Sequence, residues 1–206
     1  MSTTNLFVEL IVIGVGALVW VSLVVLAAFG WQWVPADRVF STEALLFFVA
    51  IIYLLGIVTD RIADASIERL FGNSLRRGFF SDPREYHRSR LIILSRSERL
   101  AQLLEYGRSR LRICRGWAFN SLLAAVCLNI FLWTRFRDES FAAAVSVFGT
   151  IVFCLLAAAC FYSWKKLVIT EYVKTKEQSG FLLEAEPKAE ARAPRQQVHH
   201  RVRRRR

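Results

Sequence analysis

Four stretches of this chain, residues 6–31, 44–58, 117–133 and 141–164, are nearly uninterrupted runs of apolar side chains separated by charged segments. At ~1.5 Å per residue the first run reaches ~37 Å as a helix, against ~30 Å for the hydrocarbon core of a bilayer. The pattern predicts four membrane-spanning helices. A cleaved signal peptide is the competing account of the first run. It fits poorly, because the run is too long and lacks a basic leading segment.

Helical periodicity continues past three of these runs. The second is short for a bilayer but extends through Asp60 and Asp64 to Leu70, where Gly72 and Asn73 are expected to form a left-handed C-cap. Ser41 or Thr42 is its expected N-cap, with Glu43 in the first turn. Ser95 to Glu98 fits a capping box, and from there Leu100, Leu103, Leu104, Gly107, Leu111 and Cys114 recur at helical steps into the third run. One helix of ~55 Å is predicted from Arg96 to about Thr134. The fourth run continues past Trp164 and fades near Gln178. Residues 75–94, punctuated by Gly78 and Pro83, give no clear element but are too apolar for a free linker. They are expected to fold back onto helices or the membrane surface. Residues 184–206 read as disordered.

Charge fixes the expected orientation. The net charge is +11 although 54% of residues are apolar, and the basic excess is segregated. Residues 60–115 hold thirteen Arg against seven acids, and residues 165–206 hold twelve Lys or Arg against five. Basic segments remain cytoplasmic. The central segment and both termini are therefore assigned to the cytoplasmic side of the cell (inner) membrane. Trp31, Trp33 and Trp133 are expected at the outer boundary, and Trp117, Tyr162 and Trp164 in an inner aromatic belt.

The expected fold is all-α, an integral membrane four-helix bundle of two transmembrane hairpins with cytoplasmic helical extensions and a disordered basic tail. Residues 1–71 form the first hairpin and extension, 72–94 a cytoplasmic linker, 95–177 the second hairpin with long extensions, and 178–206 the Arg-rich tail.

Asp60, Asp64 and Glu68 fall one helical turn apart on a shared face, as do Glu105, Arg108, Arg112 and Arg115. With Glu9 and Arg61 they are expected at the inner boundary, where charges near hydrocarbon are costly unless paired or snorkelling outward. Pairing across helices would lock the ends together; simple anchoring by the arginines is the alternative. Within the spans, Asn120 and Asn129 are expected to hydrogen-bond another helix or to line a pore. Ser146, Gly149 and Thr150 belong to a small-residue face suited to close approach, within one copy or between copies.

Chemistry is sparse. Cys114, Cys127, Cys154 and Cys160 form no C-x-x-C pair, and His87, His199 and His200 lie outside the spans, which argues against thiol oxidase and membrane cytochrome chemistry. No catalytic, cofactor or metal residues are assigned. In the tail, Arg192, Arg195, Arg201, Arg203, Arg204, Arg205 and Arg206 suit anionic inner-leaflet lipid first, with nucleic acid or an acidic cytoplasmic protein as alternatives. The pattern points to a non-enzymatic, self-associating homo-oligomer acting as a small pore or signal-responsive membrane effector. Its rival is an anchor or scaffold presenting the cytoplasmic helices and tail.

Overall fold

The computed structural model describes residues 3–32 and 42–192, and among these every regular element is helical. The elements are α1 (Thr3–Phe29), α2 (Thr42–Ala63), α3 (Asn73–Arg77), α4 (Pro83–Arg96), α5 (Glu98–Arg135) and α6 (Ala142–Arg192). Four helices are long and apolar enough to cross a membrane, compatible with a multipass membrane protein. Ser41, Trp33 and the basic tail beyond Arg192 lie outside the described residues.

Helix α1 stops where the sequence provides a stop. Gly30 has φ 75°, a left-handed conformation that costs glycine little, and its N–H bonds Leu26 O at 2.9 Å. The second helix does not stop at Gly72. It runs from α2 through a stretch of wider turns, Asp64–Gly72, into α3, and both Gly72 and Asn73 are right-handed with φ −63°. The expected left-handed cap is thus corrected. Glycine permits that conformation without requiring it, and here the missing Cβ makes room for the Glu68 side chain. The chain turns only at Gly78.

The unreadable segment contains a helix. Asp82 caps α4, its side chain accepting from the Arg84 N–H at 2.9 Å, and Pro83 occupies the first turn, where a missing N–H costs nothing. Because α4 reaches Arg96, the cap of α5 falls on Ser97 rather than Ser95. Ser97 is extended and accepts from Leu100 N–H at 3.3 Å, while Ser95 bonds back to Ile92 O. The third span-bearing helix is therefore Glu98–Arg135, close to its expected limits. Helix α6 has 51 residues, ~76 Å, so it reaches far beyond any bilayer and past the expected fade at Gln178.

Helix α1 packs on α2 and α5, α5 packs on α6, and α4 lies against α6 and α5. At one end Arg135 donates to the carbonyls of Ala27 and Ala28 at 2.8 and 2.6 Å, satisfying groups that the end of α1 leaves open, and Trp31 stacks on Phe136. At the other, arginine-rich end, Phe80, Trp164, Val168, Tyr172 and Ile67 form a core. Trp164 is 2% exposed, so it fills this core instead of the expected aromatic belt.

Candidate functional site: a charged chamber

Helical spacing and the close packing of α1, α2 and α5 bring charges together at the arginine-rich end. The buried Arg115 of α5 reaches across to the second helix, where Nη2 meets Asp60 at 2.9 Å and Nη1 pairs with Asp64. One turn earlier, Arg112 lies 3.6 Å from Glu9 of α1, a carboxylate only 4% exposed. Two arginines thus tie α5 to both other helices. Of the residues expected at this boundary, the structure joins Glu9, Asp60, Asp64, Arg112 and Arg115. Arg61 and Arg108 make no ion pair or hydrogen bond among the described residues, and Glu68 lies against Gly72. Glu105, two turns before Arg112, is half-buried and lies outside the cavity.

These charges line a cavity of about 500 Å³. Six arginines contribute (Arg61, Arg76, Arg90, Arg108, Arg112 and Arg115) against four acids (Asp60, Asp64, Glu68 and Glu171). Leu6, Leu10, Tyr53 and Ile57 supply an apolar lining from α1 and α2, and Tyr86, Trp164, Val168 and Tyr172 supply another from α4 and α6. The Tyr86 hydroxyl of α4 donates to Glu171 of α6 at 3.1 Å. Burial, and then the adjacent Glu171 charge, push the Tyr86 phenol well above its usual range, so it remains a donor at any physiological pH. Lys176 bonds Phe79 O and Arg96 bonds Leu182 O, both at 3.2 Å, which fastens the α6 extension to the α3–α4 region.

Arg76, Tyr86, His87, Arg90 and Glu171 were invisible as site residues in the linear pattern. They belong to elements that tertiary packing alone brings together. The available signal was Asp82-Pro83 with Glu85 two residues on, a helix start that reads equally well as a breaker.

Deeper among the apolar turns, Asn120 is 1% exposed, accepts from Trp20 Nε1 at 3.1 Å and donates to Ile13 O at 2.8 Å. Asn129 donates to Ala125 O at 2.8 Å and Thr150 Oγ1 at 2.7 Å, and accepts from Ser146. The first cluster joins α1 to α5 and the second joins α5 to α6. Gly149 faces Leu128 of α5, and Ala142, Ser146 and Ala157 are buried, so the small face of α6 is used within one chain. Asn120→Ala is expected to cost about 1 kcal/mol, the usual scale of such membrane hydrogen bonds. An SDS unfolding titration checks it, and an unchanged midpoint would show the amide to be energetically idle.

Among the described residues no group of three or more His, Cys, Asp or Glu could hold a metal ion, and the four cysteines are free. Arg192 ends α6, and the other tail arginines lie outside the described residues. Comparison with family models, curated proteins and solved structures finds no match to this chain.

Proposed function

We propose that this is a non-enzymatic protein of the cell (inner) membrane, built as two transmembrane hairpins with both termini cytoplasmic. In this reading it is a signal-responsive effector whose cytoplasmic helices receive the input. The arginine excess at one end of the helices supports the orientation. The observation that carries the function is that Arg112 and Arg115, which fasten three membrane helices together, also form the wall of the chamber. Anything that enters the chamber acts on the same charges that hold the helices.

A pore is the less favoured form of effector, because the amides of Asn120 and Asn129 are engaged between helices of one chain. The scaffold reading draws on the length of α6, which carries Arg192 far from the apolar segment.

Asp60→Arg tests the effector reading in reconstituted protein. Amide hydrogen exchange at the arginine-rich ends of α1, α2 and α5 should rise at least tenfold together, as the shared fastening fails. Exchange unchanged in α1 and α5 would sink the proposal. In planar bilayers the protein should be electrically silent, and single-channel currents removed by Asn120→Ala would establish the pore instead.

A further inference from the structure

Two chemically different groups of residues line the chamber. Leu6 and Leu10 of α1 and Ile57 of α2 are apolar side chains on helices of membrane-crossing composition, whereas Arg90 of α4 and Arg108, in the arginine-rich first part of α5, present guanidinium groups. Arg115 and Arg112 are consumed by Asp60, Asp64 and Glu9, and Arg76 donates to Asn73 at 2.7 Å. Among the described residues Arg90 and Arg108 have no ion-pair partner, and both are partly buried. The Arg90 Nε is shielded from solvent with no acceptor. A buried donor without an acceptor is a cost the fold carries unless something outside the chain supplies the oxygen.

Two carboxylates in the chamber bear on what that oxygen belongs to. Glu171 is within electrostatic reach of both Arg90 and Arg108 but already accepts from Tyr86, and Glu68 lies against Gly72. Neither closes an ion pair with the two arginines. Against these two acids stand Arg61, Arg90 and Arg108, so the unpaired charge of the chamber is positive. Guanidinium forks match phosphate oxygens, and basic pockets between membrane helices suit phosphorylated headgroups. The volume of about 500 Å³ is in the range of small-ligand sites.

We propose that the chamber binds the phosphate headgroup of an anionic membrane lipid, held by Arg90 and Arg108, with the acyl chains leaving along Leu6, Leu10 and Ile57. This rests on the reading that α1 and α2 cross the bilayer with their charged ends at its surface. The phosphate is common to lipids and to free phosphate esters. The apolar wall is what selects the lipid, since a water-soluble ester gains nothing from Leu6, Leu10 and Ile57.

Native mass spectrometry of the full chain, exchanged into lipid-free detergent and titrated with phosphatidylglycerol or phosphatidylcholine, tests the site. One phosphatidylglycerol should be retained in preference to phosphatidylcholine. Arg90→Gln with Arg108→Gln should weaken that retention at least tenfold. The same charge removal at the exposed Arg84 and Arg88, outside the cavity, should leave it within twofold. Equal loss in both pairs would overturn the site in favour of diffuse attraction. Displacement by glycerol phosphate at concentrations matching the lipid would overturn the lipid assignment. If the glutamine pair misfolds, Arg90→Lys provides the check, keeping the charge while losing the fork, with a several-fold loss expected and full retention contradicting the site. The Asp60→Arg exchange experiment reads the fastening of the helices and not lipid retention, so its failure sinks the effector reading while leaving the headgroup site standing, and the reverse holds for this one.

Discussion

Replacing Arg115 with methionine should destabilise the protein by about 3 kcal/mol, the scale on which removing one partner of a buried ion pair strands the other. The side chains of Arg115 and Asp60 are 9% and 12% exposed, so Asp60 is the carboxylate left without water or a counter-charge. Asp64 is 46% exposed and can be solvated once released, which discounts its share. The stem of methionine fills much of the space of the arginine methylenes, so the loss reports charge more than volume. Adding Asp60→Asn should recover at least half of it, because the uncompensated charge is then gone. Unfolding by SDS in mixed micelles, followed by tryptophan fluorescence, measures both variants. Equal losses in the single and double variants would show that packing of the arginine stem, not its charge, holds α5 to the second helix.

Why this pair could be anticipated, and others not, is a matter of distance along the chain. Asp60 and Asp64, and Arg112 and Arg115, share helical faces by spacing alone, and apolar runs announce the helices that carry them. Which face meets which is a tertiary fact. Nothing local distinguishes Arg115, which pairs, from Arg108, which does not. The Tyr86–Glu171 bond joins residues 85 apart, and one of them lies on a helix hidden behind a proline. Trp164 shows the same limit from the other side. An aromatic residue at the end of an apolar run suits a membrane boundary, but it is equally suited to a core, and here Ile67, Phe80 and Ala118 from distant parts of the chain make that core with it. Asn120 illustrates an intermediate case: a buried amide in an apolar helix must find partners, but its partners, Trp20 and the Ile13 carbonyl, lie 100 and 107 residues earlier. The wide turns at Asp64–Gly72 carry no local sequence signal.

The second large effect is expected where α1 crosses α2. A Cβ on Gly14 would lie 1.8 Å from Ile52 O, and one on Gly56 would lie 2.0 Å from Leu10 O. Both obstacles are backbone atoms fixed by their own helices, so no rotamer change can make room. Gly14→Ala should force the two helices apart and cost roughly 3 kcal/mol or more, because small residues are what permit close backbone approach in membrane helices. Gly56 lies one turn before Asp60, and Gly14 lies little more than one turn after Glu9. Separation at the crossing therefore also draws Asp60 and Glu9 away from Arg115 and Arg112, and the chamber should open with it. Gly107→Ala is the matched control. It sits inside α5 with nothing within 4 Å of the added methyl, and alanine should stabilise that helix by about 0.5–1 kcal/mol. SDS titration of the two variants should move the midpoint in opposite directions. If Gly14→Ala unfolds no more readily than Gly107→Ala, the close crossing of α1 and α2 is wrong, and the placement of Glu9 and Asp60 against the arginines of α5 loses its structural basis.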